Sequence, residues 1–129
     1  SALTVTQGER ERSALTHIYF SLSQGEISKF HKVESDEIWN LYEGKGLTLF
    51  LWDEGRQTLE KKILSSEKRD YCQVVRAGLW QAAAPLGEAV LVGCSVAPGF
   101  EFSDFKLIDP DSQTARDIML RNPELHQLV

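Results

Sequence analysis

The sequence predicts an all-β chain, a β-sandwich or jelly-roll barrel carrying a short C-terminal helix. Three observations lead there. About eight short runs rich in aromatic and β-branched residues are separated by turn residues. No helical pattern of roughly 10–15 residues lies between them, which argues against a parallel α/β sheet. Only the tail, Ser112–Arg121, places apolar residues at helical spacing (Ala115, Ile118, Met119), and Pro123 ends it before a last turn.

Taken in order, Leu15–Leu22 reads as a strand, with Gly25 supplying the turn after it. Ile27–Val33 alternates, with Ile27, Lys29, His31 and Val33 on one face and Ser28, Phe30 and Lys32 on the other. The acidic turn Glu34-Ser35-Asp36 leads into a strand over Glu37–Tyr42, which stops at Gly44-Lys45-Gly46. Leu47–Trp52 is almost wholly apolar and therefore belongs in the middle of a sheet, covered on both sides. Asp53–Arg56 is a hairpin turn, and the lysines of Thr58–Leu64 suit an edge strand. Tyr71–Arg76 and Glu88–Val96 are two more strands. Between them, Ala77–Pro85 is a turn followed by a short strand into a loop.

A chain of 129 residues without an internal repeat or long linker implies one domain over residues 1–129, with a radius of gyration of about 14 Å. The 14 Lys and Arg against 19 Asp and Glu leave a net charge of −5 and no basic block, which argues against a nucleic-acid partner. No apolar run is long enough for a membrane helix. The opening SALTVTQGERER lacks the apolar stretch of a signal peptide, so a cytoplasmic location is expected. Cys72 and Cys94 sit in the apolar runs YCQVV and VLVGCSV with no CxxC, and two buried free thiols are expected.

One stretch carries a spacing of its own: Gly25, five residues, His31, one residue, Val33, three residues, Glu37, six residues, Gly44. It resembles the first motif of the cupins, with Val33 where the second histidine of that motif stands. The phrases SALTHIYF, SKFHKVESDEIWNLYEG, VVRAGLWQAAAP and LVGCSVAPGFEFSDFKLID, spread over Ser13–Asp109, resemble the small single-domain cupins of unassigned function called cupin-5. The resemblance implies a double-stranded β-helix (the cupin jelly roll), usually a homodimer, with an open barrel mouth. Its fold is similar to that of sugar-nucleotide epimerases and isomerases and of seed-storage proteins. Many members begin with an additional helix and a His-Pro-Glu-Gly-Gly stretch, whereas this chain enters at the strand region.

The resemblance also bears on metal. A metal cupin takes two histidines and a glutamate from the first motif and a third histidine from the second. Matching places His31 and Glu37 among the ligands, Val33 in place of one histidine and Gln81 in place of another, with Arg76 where the second motif has proline. Tight zinc or iron binding needs at least three strong ligands. The expectation is therefore no metal and no cofactor.

A histidine beside a carboxylate is an acid–base device, so His31 and Glu37 are the candidate catalytic pair for moving a proton next to a carbonyl. The structural alternative has the two hydrogen-bonded to each other at the barrel mouth. Gln81 is a candidate donor to substrate. Trp39 and Trp80 offer flat walls for a sugar ring or, equally, core packing. His17 and Tyr19 share a strand face and are candidate inward donors. Arg76 suits a phosphate or carboxylate, or else a solvated edge. Glu101, or Asp104, is a second acid or base if it faces the pocket, and Phe100, Phe102 and Phe105 otherwise plug a barrel end or a dimer seam.

Two functions follow. One is a sugar or nucleotide-sugar isomerase or epimerase using acid–base chemistry; the other is a non-catalytic small-molecule binding or sensory cupin. A metal-dependent oxygenase or lyase would require a reconstituted ligand set. The expected partners are a sugar-like small molecule and a second copy of the chain, with no nucleic acid and no membrane.

Overall fold

The computed structural model describes residues 3–129; Ser1 and Ala2, at the start of the opening segment, lie outside the described residues. The chain begins with a hairpin, β1 (Thr4–Gln7) and β2 (Arg10–Ser13), then β3 (Thr16–Leu22) and β4 (Ser28–Lys32). The middle holds β5 (Asp36–Glu43), β6 (Gly46–Asp53), β7 (Thr58–Ser65) and β8 (Cys72–Val75). β9 (Trp80–Pro85), β10 (Val90–Ala97) and the short β11 (Lys106–Leu107) precede the helix α1 (Gln113–Arg121) and a closing 3-10 turn at Pro123–Leu128.

Two antiparallel sheets face each other, in the strand orders β3-β10-β5-β8 and β11-β4-β9-β6-β7, with the β1–β2 ribbon beside them. The chain passes repeatedly from one sheet to the other, which is the jelly-roll arrangement the sequence predicts. Gly46 makes one crossing, from β5 to β6. Its φ is +128°, and a Cβ there would overlap the Leu64 carbonyl, so only glycine fits.

The apolar alternation sorts into two cores. Between the sheets lie Trp39, Leu47, Leu49, Leu51, Leu64 and Val92. On the outer face of the five-stranded sheet, Phe30, Trp52 and Trp80 are covered by Ile118, Leu125 and Leu128 of the C-terminal segment. β6, paired on both sides between β9 and the edge strand β7, feeds both cores, which explains its nearly unbroken apolar run. Its partner β7 is the sheet edge, as its lysines predict. The Ser112 Oγ caps α1 by accepting the Ala115 N–H at 3.1 Å, and Arg121 sits in its last turn. No helix among the described residues is long and apolar enough to cross a membrane.

Three expectations change. The described residues contain eleven strands rather than about eight, because β1, β2 and β11 are short and carry little apolar signal. Cys94 is buried but Cys72 is exposed, since its register opposite Asn40 turns it to the outer face of the four-stranded sheet. Trp80 serves the outer core beneath the helix and does not face the space between the sheets.

Candidate functional site

A cavity of about 500 Å³ opens between the β3-β10-β5 portion of one sheet and the β4–β11 edge of the other. Small-molecule pockets span roughly 300–1,000 Å³. Strand alternation brings in Thr16, Ile18 and Phe20 from β3, Glu37 and Trp39 from β5, and Cys94 and Val96 from β10. β4 contributes Ser28, Lys29 and His31, and the mouth is walled by Phe100, Phe102 and Phe105.

His31 and Glu37 thus face one space, but no hydrogen bond joins them, so the structural pairing considered above does not form. Each is held by something else. The His31 Nδ1 lies 2.9 Å from the Lys29 carbonyl oxygen. A carbonyl only accepts, so Nδ1 carries the hydrogen, and in the neutral ring the Nε2 lone pair is left uncommitted. The ring stacks on Phe105 with centroids 5.6 Å apart. Burial pushes the imidazole below its ordinary value of 6.5, with the Lys29 carbonyl opposing the shift.

Glu37 is buried on the inner face of β5. Its Oε1 accepts the Gln81 Nε2–H at 3.0 Å, and Gln81 Oε1 accepts the Trp39 indole N–H at 2.8 Å. Because indole nitrogen only donates, this pair fixes which end of the Gln81 amide faces Glu37. Burial holds the Glu37 carboxyl above its ordinary value of 4.5, against opposing hydrogen bonds from Gln81 and Cys94. Burial first, and then the charge of Glu37, push the Cys94 thiol far up, so it stays protonated and is no nucleophile at neutral pH.

The other candidates separate. Trp39 lines the cavity, whereas Gln81 stands behind Glu37. His17 and Tyr19 do share a face, but it is the outer one. There His17 bonds Ser95 Oγ at 2.7 Å and the Tyr42 hydroxyl at 3.0 Å, and Tyr19 packs on both rings. Trp80 donates to Glu54 Oε2 at 3.4 Å under the ammonium groups of Lys32 and Lys106, on the far side of its sheet. Arg76 is exposed in a small polar depression with Asp53, Arg56 and Glu60.

Glu101 and Asp104 lie on the segment carrying the mouth aromatics, yet both carboxylates are taken by arginines of β2. Arg10 reaches Glu101 at 2.5 Å and Asp104 at 3.2 Å. The buried Arg12 reaches Asp104 at 2.6 Å and Glu101 at 3.4 Å, and it donates to the Gly99 carbonyl at 2.6 Å. Its Nε and Asp104 Oδ2 are held by charge rather than by an aligned hydrogen bond. Sequence reasoning passed over Lys29 as a site residue, although it shares a strand face with His31, which was the available signal.

The residues present do not fit a metal centre. Val33 lines the cavity as an apolar wall, and the one oxygen Gln81 could offer is spent on Trp39. Among the described residues no three His, Cys, Asp or Glu side chains converge.

Comparison with known proteins agrees with the fold. No curated protein matches the chain in sequence. Among solved structures, a hypothetical protein from Leishmania major is 25% identical with a TM-score of 0.77, the match covering 100% of this chain and 82% of that one. A protein from Shewanella oneidensis is 30% identical with a TM-score of 0.74, over 96% of this chain and 77% of that one. A dTDP sugar isomerase from Desulfovibrio desulfuricans shares the fold at 12% identity, with a TM-score of 0.66 over 85% of this chain and 73% of its own. The model of the family described as "Cupin superfamily (DUF985)" matches residues 1–108, and the chain belongs to that family.

Proposed function

We propose that this cupin carries out acid–base chemistry on a small carbonyl compound, in the manner of an isomerase or epimerase. His31 is the base through Nε2 and Glu37 the acid. The observation that carries the reading is that the two line one cavity with proton affinities displaced toward each other, the imidazole downward and the carboxyl upward. The downward shift favours the neutral imidazole that can accept a proton, and the upward shift favours the protonated carboxyl that can give one. His31 takes a proton from the carbon beside the carbonyl while Glu37 gives its own to the carbonyl oxygen. In an enediol so formed, protonated His31 gives its proton to the neighbouring carbon while the Glu37 carboxylate takes one from the hydroxyl on the first carbon, which moves the carbonyl and returns both side chains to their starting states. Trp39 and Phe105 offer flat surfaces to the C–H face of a sugar-like ring. Gln81 acts from behind by orienting Glu37.

The test is hydrogen–deuterium exchange at carbon. The protein would be incubated in D2O with sugars, sugar phosphates, nucleotide sugars and small aromatic oxo acids, and the C–H signals followed by NMR. Exchange that is lost in His31→Ala and strongly reduced in Glu37→Gln, with ligand still bound, is the expected result. A ligand that raises the melting temperature without any exchange would instead establish a binding module. We further infer a cytoplasmic homodimer. Tyr19, Tyr42 and Val74, exposed on the outer face of the four-stranded sheet, suit pairing of two copies, and a monomer mass in sedimentation would overturn it.

A further inference from the structure

Lys29 has a position that the acid–base reading leaves unused. Strand β4 pairs with β9 as Ser28 with Ala83 and His31 with Gln81, so β4 spends one residue more than its partner over this interval. That bulge turns the consecutive Ser28 and Lys29 both toward the cavity, alongside His31. Lys29 is the one lysine or arginine among the residues lining the space. It is exposed, and no carboxylate pairs with it among the described residues. The acids carried by the mouth segment, Glu101 and Asp104, are already held by Arg10 and Arg12.

The rest of the wall limits what else a ligand can bring. Ile18, Phe20, Val33, Val96 and Leu107 are apolar, and the mouth is aromatic. A second standing charge on the ligand would be desolvated here without a partner, which is costly. We propose that Lys29 receives the carboxylate of a singly charged ligand whose apolar body lies against the aromatic walls, making the ligand class a small amphipathic acid. This rests on the acid–base reading only in that it sets a second carbonyl of such an acid, an aldehyde or ketone, at His31 and Glu37. A diphosphate brings more negative charge than one lysine answers, so a nucleotide diphosphate is the wrong class for this mouth.

The experiment titrates the full-length, 15N-labelled protein with 3-phenylpropanoate, with the neutral 3-phenylpropanamide of the same shape, and with 2-phenylethyl phosphate. The acid is expected to shift the backbone amides of Lys29, His31 and Phe105. It should bind about five-fold more tightly than the amide at low salt, the scale of one exposed ion pair, and the difference should shrink in 0.5 M salt. Lys29→Met should abolish the preference for the acid and leave binding of the amide unchanged, while Lys29→Arg keeps the preference. Equal binding of acid and amide, a preference that survives in Lys29→Met, tighter binding of the phosphate, or no shift at these amides would each overturn the proposal. Carbon exchange that fails while the Lys29-dependent preference stands would remove the acid–base reading alone, and the reverse pattern would remove this one alone.

Discussion

Gln81 and Glu37 are bonded across the interior of the fold, one from each sheet, at 3.0 Å. The Trp39 indole completes the chain by donating to the far end of the same amide at 2.8 Å. All three side chains are buried, with only Glu37 and Trp39 reaching the cavity wall, so a polar group whose partner is removed is poorly solvated. The bridge ties the sheets together at the point where the candidate acid must be aimed.

Gln81→Leu therefore strands two polar groups at once, the Glu37 carboxyl and the Trp39 N–H. The expected cost is about 2–5 kcal/mol, read from urea unfolding at pH 7. A cost below about 0.5 kcal/mol would show that the bridge contributes nothing to joining the sheets.

The pH dependence has a definite sign. Glu37 has its folded value raised above 4.5, so its favourable state is fully present below that pH and is lost as pH rises through the raised value. Glu37→Gln keeps the hydrogen bond with Gln81 and removes the buried charge. Its melting temperature should exceed that of the wild type near pH 8, with the gap closing toward pH 4. His31 runs the other way: its folded value lies below 6.5, so protonation opposes folding as pH falls under 6.5. A constant difference between Glu37→Gln and wild type across this range would contradict the raised Glu37.

The Arg12 side chain is 1% exposed and holds both the Gly99 carbonyl and Asp104, which fastens the aromatic mouth segment to the N-terminal hairpin. Arg12→Met leaves Asp104 without its buried partner and should cost about 3–5 kcal/mol in denaturant unfolding. Limited proteolysis should then cut first within 98–105. Arg10→Ala, at an exposed position on the same strand, should change little.

Ile118 is fully buried against the outer core, beyond the residues the family model matches. Ile118→Ala should cost about 2–5 kcal/mol by opening a cavity over Trp52 and Trp80. Tryptophan fluorescence during unfolding would report it directly.

Metal content is the cheapest check on the ligand argument. Protein purified without chelator is expected to hold far less than one divalent ion per chain, because the Gln81 oxygen is engaged by Trp39. A stoichiometric ion that leaves on dialysis against EDTA would mean that this amide turns away from the indole to ligate it.

The barrel was largely legible beforehand, because alternation along β4 and β5, the apolar run of β6 and the capped, Pro-ended helix are local signals. Those signals also put His31 and Lys29 on one face of a strand. They failed where the face itself had to be chosen. His17 and Tyr19 alternate correctly with Ile18 and Phe20, but period two does not say which set points inward, and the inner set is the apolar one. Trp39 and Trp80 look equivalent as residues, yet one faces the cavity and the other the helix.

By itself, then, the sequence determined the fold class, the strand periodicity and the family, all of which rest on residue type at short spacing. Tertiary structure alone decided what each polar side chain meets. Gln81 reaches Glu37 over 44 positions in the chain, and Arg12 reaches Gly99 over 87. Such pairings follow from how two sheets stack and how a strand bulges, and no local pattern encodes that geometry.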